Sequence, residues 1–385
     1  MVIFAISICH MVNDVMQSLL AAVYPLLHDE FSLDFWQIGL MTFAFQITAS
    51  LLQPLIGMAT DRRSFPQSLP IGMGSTMIGV GMLAWADTYG MLLVGAMLIG
   101  IGSAVFHPEA SRVARTASGG RYGTAQSLFQ VGGNFGSSAG PLLAAFVVVP
   151  FGRPAIAWFA VAALVGMVIL SRVGAWYGRW ARANAGRAAA SRVLPLPRRR
   201  VVLAISVLAI LVFTKNAYMA GISSYYTFFL IDRFGLSTQD SQLMLFLFLA
   251  AMALGVVLGG VIGDRIGTLT VIWVSILGVL PFTLLLPYVD LFWTGVLSVI
   301  IGVVMSSAFP AIVVFAQELV PGRVGMIAGI FFGFAFGIGG IAAALLGILA
   351  DARGIAYVYQ LCAWFPVFGL LAILLPKRRE MMGAY

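Results

Sequence analysis

The sequence predicts an all-α integral membrane protein with twelve transmembrane helices in two pseudo-symmetric six-helix halves. Hydrophobic residues make up 61% of the 385 residues and charged residues only 9%, whereas a typical soluble domain is about a quarter charged. A helix that crosses a bilayer needs roughly 20 mostly apolar residues, and such stretches recur along the whole chain. They lack the strict polar and apolar alternation of barrel strands, which favours helices.

The predicted spans are separated by short connections, with one exception. They are 2–27, 35–59, 69–88, 91–113, 123–149, 154–177, 201–230, 240–262, 269–288, 292–316, 324–348 and 355–376. The exception is the polar, basic segment 178–200, which predicts a linker between an N-terminal half, 1–177, and a C-terminal half, 201–385. The first span is long, with neither a basic region before it nor a small-residue cleavage pattern, so we expect a retained helix rather than a signal peptide.

The charge of the chain follows its predicted topology. When the loops are counted alternately, most of the 22 lysine and arginine residues fall on one side of the membrane. The positive-inside rule then places both termini in the cytoplasm. This arrangement explains the net charge of +8 without nucleic acid as a partner. The two cysteines, Cys9 and Cys362, have no metal or disulfide spacing, and we expect them to pack in the bundle.

The two halves repeat each other in sequence. A shift of 203 positions places Asn13 on Asn216 and Asp61-Arg62 on Asp264-Arg265, and a shift of 202 places Pro108 on Pro310. Two parallel six-span repeats joined by a cytoplasmic linker are the organisation of transporters whose halves rock about a central site. The repeat therefore predicts transport by alternating access.

Short motifs resemble those of the major facilitator superfamily. Gly57-x3-Asp61-Arg62 and Gly260-x3-Asp264-Arg265-x-Gly267 are similar to the loop motif that follows spans two and eight in that superfamily. Gly136-Ser-Ser-Ala-Gly140-Pro141 resembles the antiporter motif of its proton-coupled drug exporters. Ala96 stands at about the place of a span-four arginine found in many such exporters, so proton transfer needs other residues here.

Longer stretches resemble bacterial drug-resistance exporters of the same superfamily; they are 10–14, 105–145, 223–230 and 318–340. This resemblance implies a proton–drug antiporter of the bacterial inner membrane that exports a small phosphonate antibiotic. Two alternatives stay open. One is a facilitator, and the other is a proton-coupled transporter of a sugar, a metabolite or a cationic drug.

The first span carries an unusual polar stripe. His10, Asn13, Asp14 and Gln17 are spaced 3, 1 and 3 and share one helix face. A charge at the bilayer centre costs roughly 2.5–3.5 kcal/mol on insertion scales, so this face should meet a wet cavity or the bundle interior. We expect Asp14 to bind and release the coupling proton and the other three to bind substrate. A permanent ion pair or helix cap for Asp14 is the alternative.

Span four ends with a second charged group. Glu109 and Arg112 lie three residues apart and can form an ion pair, while His107 points to a different face. We expect His107 and Glu109 to take part in proton coupling, because an imidazole titrates near neutrality and should not face lipid. A structural ion pair at the cytoplasmic rim is the other interpretation of Glu109, and it is the one that we favour for Arg112.

Spans five and seven supply the remaining candidates for substrate binding. The first group recurs every four residues and the second surrounds an intramembrane lysine: Gln126, Gln130 and Asn134, then Lys215, Asn216, Tyr218, Tyr225 and Tyr226. The Lys215 ammonium can neutralise Asp14 or bind an anionic ligand, and the two roles are compatible if ligand and proton compete. The tyrosines can equally be ordinary bilayer packing or an interfacial belt.

The remaining charged residues at helix ends are assigned to gating: Asp61, Arg62, Asp264, Arg265 and Arg112. An enzyme is not expected, because His10, His28 and His107 are scattered in the sequence without a nucleophile–base or metal-ligand spacing. No glycine run continues into Lys-Ser or Lys-Thr, which argues against a nucleotide-driven pump. We expect no cofactor and no metal, and the expected partners are the solute, protons and lipid around a monomer.

Overall fold

The computed structural model describes residues 1–184, 194–377 and 380–381, and every regular element within them is helical. The α-helices are α1 (Val2–Ala22), α2 (Tyr24–Phe31), α3 (Phe35–Arg62), α4 (Ser68–Trp85), α5 (Tyr89–Ala117), α6 (Tyr122–Leu143), α7 (Val149–Phe151), α8 (Ala157–Ala183), α9 (Arg198–Phe234), α10 (Thr238–Ile266), α11 (Thr268–Ile276), α12 (Leu280–Leu285), α13 (Leu291–Ser306), α14 (Ala308–Leu319), α15 (Val324–Arg353) and α16 (Ile355–Cys362). Short π and 3-10 helices are Ala144–Val148, Arg153–Ile156 and Phe365–Leu374. Residues 185–193 of the predicted linker lie outside the described residues.

The predicted membrane class is confirmed. Within the described part of the chain, eleven helical segments are long and apolar enough to cross a bilayer, and Val324–Ala335 adds a shorter apolar segment at the start of α15. Each corresponds to one of the twelve stretches read from the sequence. The agreement has a simple cause, because a segment in lipid must satisfy its backbone hydrogen bonds internally and be apolar along its length.

Several predicted spans consist of more than one helical segment, a detail that the sequence interpretation did not address. The first span breaks at Val23, between α1 and α2, and Pro25 occupies the first turn of α2. Pro281 likewise occupies the first turn of α12, and Pro366 occupies the first turn of the last 3-10 helix. Proline suits a first helical turn because its missing N–H needs no partner there. These prolines therefore start new helical segments inside one hydrophobic stretch.

By their contacts the described residues group into two compact units. The first contains Met1–Gly120, 128–184 and Pro321–Gly333, and the second contains Arg121–Ser127, Leu194–Val320, 334–377 and 380–381. Each unit thus includes one short segment from the other half of the sequence: Pro321–Gly333 in the first unit and Arg121–Ser127 in the second. The boundaries 1–177, 178–200 and 201–385 expected from the sequence repeat remain a prediction.

In the first unit, α4 packs along α5 and α8, while α5 also packs against α1 and α3. This arrangement brings the polar faces of α1 and α5 together. The second unit has an apolar core between α9, α10, α13 and α16, with large side chains such as Tyr226, Phe229, Phe248 and Ile301 fully buried.

Candidate functional site: a buried His–Asp–His cluster

The polar stripe of α1 is buried inside the first unit. His10 is 1% exposed, Asn13 is fully buried and Asp14 is 5% exposed. The stripe therefore faces protein rather than lipid, as the cost of burying polar groups in hydrocarbon requires. Asp14 lies at its centre, where its Oδ1 accepts hydrogen bonds from Asn13 Nδ2 at 3.1 Å and from Gln17 Nε2 at 2.8 Å.

His107 of α5 completes this cluster. Its Nε2 lies 3.2 Å from Nε2 of His10 and 3.6 Å from Oδ1 of Asp14. The His10 Nε2 is in turn 3.5 Å from Oδ2 of Asp14. The expectation that the histidines are scattered is therefore wrong in space for His10 and His107, which meet although 97 residues separate them. We call these three residues the His–Asp–His cluster.

Backbone carbonyls and a hydroxyl orient the two imidazole rings. The Nδ1 of His10 is 2.7 Å from the carbonyl oxygen of Phe129 on α6. The Nδ1 of His107 is 2.9 Å from the carbonyl oxygen of Ser103, one turn earlier on α5. The Ser103 hydroxyl donates to Gln17 Oε1 at 2.9 Å. Each ring thus has one nitrogen held by the scaffold and presents the other to Asp14.

Aromatic rings enclose the cluster. His10 stacks on Phe129 with ring centroids 4.1 Å apart, and Phe106 lies 5.6 Å from it. The ring of Phe332, near the start of α15, is 5.2 Å from the His107 ring. These apolar neighbours lower the local dielectric and strengthen the electrostatic interactions among the three polar side chains.

Glycine lets α6 approach the cluster closely. A Cβ atom on Gly133 would lie 2.5 Å from His10 Nε2 and 2.8 Å from Asp14 Oδ2. Ser137, one turn further along α6, is 3.5 Å from Asp14 Oδ2 through its hydroxyl. Ser137 belongs to the stretch that resembles the antiporter motif, so this stretch reaches the carboxylate that we expected to carry the proton.

Sequence reasoning missed three other residues that position the cluster: Ser103, Phe129 and Ser137. One signal was available, because Ser103 lies one turn before His107 and shares its helix face. The contacts made by the Phe129 carbonyl and by Gly133 depend on how α6 packs on α1. That packing leaves no pattern in a single sequence.

Glu109 and Arg112 belong to a separate buried network on α5. The predicted ion pair between them is confirmed, and the Ser68 hydroxyl donates to the other Glu109 oxygen at 2.9 Å. The Arg112 guanidinium also donates to the Thr60 carbonyl oxygen at 2.6 Å and lies 3.4 Å from Asp61 Oδ1. Glu109 is thus tied to a permanent cation, unlike Asp14, whose nearest titratable neighbours are imidazoles.

The two motif aspartates make equivalent contacts in their own units. Asp61 accepts hydrogen bonds from the Gly325 and Met326 amides at the start of α15, at 2.9 and 2.7 Å. Asp264 accepts them from the Gly123 and Thr124 amides at the start of α6, both at 2.8 Å. A carboxylate at a helix N-terminus is stabilised by the free N–H groups and the helix dipole. The adjacent Arg62 and Arg265 are exposed.

The predicted substrate-binding residues fall in different surroundings. Lys215 on α9 is half-buried in the second unit, with its Nζ 5.4 Å from the Phe309 ring centre and 3.4 Å from Asn216 Oδ1. Tyr218 and Tyr226 lie in the apolar core of that unit. Tyr225 is half-buried beside the same core. In α6, Gln130 and Asn134 are half-buried and Gln126 is 3% exposed.

A cation can be held in the His–Asp–His cluster. Its three side chains offer one ligand atom each, all within 4.8 Å of one another, and they are the one such group found among the described residues. The contact of 3.2 Å between two imidazole nitrogens has the length of a hydrogen bond. A proton bound there can bridge the two nitrogens beside the Asp14 carboxylate.

These features define a class of protein: a helical membrane transporter with a buried titratable centre. The family model of the Major Facilitator Superfamily matches residues 6–344 and 218–382. The chain belongs to the major facilitator superfamily. It is a transporter of a small-molecule substrate and not an enzyme.

Two relatives found by sequence similarity support this family assignment. The chain is 58% identical to the fosmidomycin resistance protein of Escherichia coli K12 over 98% of its length and 93% of that protein's length. It is 38% identical to the Bacillus subtilis MFS-type transporter YfnC over 99% of this chain and 94% of that protein.

Two solved structures share the fold. They are the E. coli fucose:proton symporter FucP and the human organic anion transporter MFSD10, with TM-scores of 0.71 and 0.73 and sequence identities of 15% in both cases. The alignments cover 96% and 97% of this chain and 98% and 99% of those chains. At this identity they establish the architecture of the chain and nothing about its solute.

Proposed function

We propose that this protein is a proton-coupled efflux antiporter that exports a small anionic antibiotic of the phosphonate type, such as fosmidomycin, by alternating access. The observation that carries the proposal is the burial of Asp14 between His10 and His107 in a superfamily transporter. A buried group that can gain and lose a proton is what coupling to a proton gradient requires. The relative whose name states fosmidomycin resistance, 58% identical over 98% of the chain, supports the solute.

The proton-coupling role falls mainly on Asp14 and His107. Glu109 was the third candidate from the sequence, but its ion pair with Arg112 favours a structural role, since separating a buried pair leaves an uncompensated charge. We therefore assign Glu109 and Arg112 to holding α5 against Asp61.

Lys215 is the residue that we propose to receive the anionic group of the solute. Its ammonium lies among aromatic and amide groups of α9 and α14, and no carboxylate lies within ion-pair distance of it among the described residues. A cation without a counter-ion in a low-dielectric environment attracts an anion strongly. The other candidates for substrate binding from α6 and α9 remain predictions.

Removal of the Lys215 charge should reduce fosmidomycin transport roughly tenfold or more, because a charge-assisted hydrogen bond contributes about 1.5–3 kcal/mol. The measurement uses proteoliposomes with an imposed pH gradient and compares fosmidomycin with a cationic dye for wild type and Lys215→Ala. Lys215→Arg should keep part of the activity. Lys377→Ala, at an exposed lysine of the C-terminal tail, is the matched control and should transport normally.

Three results of that assay would contradict parts of the proposal. Transport of the dye alone would exclude an anion exporter. Fosmidomycin transport that is unchanged in Lys215→Ala would exclude Lys215 as the anion site. Transport that ignores the pH gradient would instead indicate a facilitator.

We also propose that the protein lies in the bacterial inner membrane as a monomer with both termini in the cytoplasm, and that Asp61 and Asp264 with Arg62 and Arg265 act in gating at the cytoplasmic side. The basic loops support the orientation. The capping of α15 by Asp61 and of α6 by Asp264 supports the gating role.

A single cysteine tests orientation and gating together. Cys9 and Cys362, both buried, are replaced by alanine, and Met326→Cys is introduced, which keeps the backbone amide that Asp61 binds. An impermeant maleimide should label this cysteine only from the cytoplasmic face. Labelling should be several-fold faster with Asp61→Ala, because the start of α15 loses its cap. Labelling from the periplasm would refute the orientation, and an unchanged rate would refute the gating role.

A further inference from the structure

The hydrogen-bond directions around His107 fix which of its nitrogens carries hydrogen. Gln17 donates its amide to Asp14, so its Oε1 must accept, and the Ser103 hydroxyl donates to it. A hydroxyl has a single hydrogen, so the same oxygen can only accept from His107 Nδ1, which lies 3.2 Å away. The Ser103 carbonyl oxygen at 2.9 Å is also an acceptor. The His107 Nδ1 therefore carries a hydrogen.

The same reasoning applies to His10. Its Nδ1 lies 2.7 Å from the Phe129 carbonyl oxygen, which can only accept. A neutral imidazole has one N–H and one lone pair, so the hydrogen is on Nδ1 and the lone pair is on Nε2. Both histidines thus direct an Nε2 lone pair into the cluster.

These assignments leave three acceptors facing one another. The two Nε2 atoms are 3.2 Å apart. The Nε2 of His10 lies 3.5 Å from Asp14 Oδ2, and the Nε2 of His107 lies 3.6 Å from Asp14 Oδ1. The three side chains are almost completely buried, so water screens the repulsion between these facing lone pairs very little. One additional proton on either Nε2 converts these repulsive contacts into an N–H···N bond beside a carboxylate counter-ion.

The groups that contact the cluster from the neighbouring described helices offer few other sites for that proton. From α6 the cluster meets the Ser137 hydroxyl and the Cα of Gly133, and from α15 it meets the Phe332 ring. The other charged side chains of α5 near this level, Glu109 and Arg112, are bonded to each other. Among the described residues, the titratable groups with direct contacts inside the cluster are those of His10, His107 and Asp14.

We propose that the coupling proton is held as one imidazolium shared by His10 and His107, with Asp14 as its permanent counter-anion, rather than on the Asp14 carboxyl group. This inference rests on the proposed proton coupling and changes the role of His10 from substrate binding to proton binding. Loading forms one N–H bond with a proton taken from water on the outer side. Unloading breaks that bond and returns the proton to water on the inner side, while the carboxylate keeps its charge throughout.

Nitrogen NMR of isotopically labelled histidine tests the location directly on the full chain in nanodiscs. The protein has three histidines, and His28→Gln leaves only His10 and His107; His28 is partly exposed beside Asp29. We expect Nδ1 of both rings to be protonated in all states, and one imidazolium signal shared by the pair in the loaded state. Asp14→Asn should abolish that signal, because the imidazolium loses its counter-ion.

Three results would overturn the proposal. The first is a neutral ring protonated on Nε2. The second is a pair of neutral rings together with the infrared carbonyl band of a protonated Asp14. The third is one equivalent of a divalent metal in the purified protein. All three are measured on a background that retains the cluster, so a variant that fails to fold cannot hide the answer.

Transport assays distinguish a failure of this inference from a failure of the proposed function. His10→Gln should lower pH-driven export at least tenfold and shift its pH dependence, whereas the matched His28→Gln change should leave both unaltered. A shared imidazolium in a protein that exports no fosmidomycin would refute the solute and keep the proton site. Full export with an unchanged pH profile in His10→Gln would refute the shared proton and keep the exporter.

Discussion

Asp14→Asn is expected to abolish export against a solute gradient while solute exchange continues. Asparagine keeps the size of the side chain and can still bond Asn13 and Gln17, but it has no negative charge. The cluster then contains no anion to balance a bound proton, so loading a charge into this buried site becomes unfavourable. The loss should exceed a hundredfold in proteoliposomes driven by a pH gradient, with counterflow of labelled solute retained.

The matched control for this change is Asp29→Asn. Asp29 has the same side chain, but it is exposed and lies near the predicted periplasmic end of the first span. We expect its variant to export like wild type. Normal pH-driven export by Asp14→Asn would remove Asp14 from the coupling mechanism, and a loss of counterflow as well would show that it binds solute instead.

The fold could be predicted because lipid imposes a strong rule on every span. Hydrophobic length alone located the segments that became α3, α5 and α10, and the repeat of Asp61 at Asp264 indicated two related halves. What hydropathy cannot show is where a span breaks. The hydropathy of the segment around Val23 and Pro25 would also fit one long apolar helix. The break between α1 and α2 follows from the backbone geometry of proline, which disfavours a helix interior.

The candidate site could be predicted only in part, for a different physical reason. Helical spacing placed His10 and Asp14 on one face of α1, since that relation lies within a single helix. The contact of His10 with His107 depends on the packing of α1 against α5, and single-sequence periodicity carries no information about partners 97 residues apart. The two histidines were therefore assigned separately, one to substrate and one to protons.

Gly133→Ala is expected to reduce export strongly, although it removes no functional group. The new methyl group would lie 2.5 Å from His10 Nε2 and 2.8 Å from Asp14 Oδ2, closer than these atoms can approach. Either the imidazole must turn away from the Phe129 carbonyl or α6 must move off α1, and overpacking of this kind costs about 1–3 kcal/mol. We expect at least a tenfold loss of pH-driven export and a lower Tm.

Gly81→Ala on α4 is the control, because its added methyl group would meet only Trp85 at an ordinary 3.8 Å and alanine favours a helix. That variant should keep wild-type export and Tm. The double variant Gly133→Ala with His10→Ala separates packing from chemistry, since the shorter side chain makes room for the methyl group. Its Tm should recover while export stays low, because the space is restored but the second imidazole is absent. Recovery of export in the double variant would mean that Gly133 and His10 matter only for packing α1 against α6.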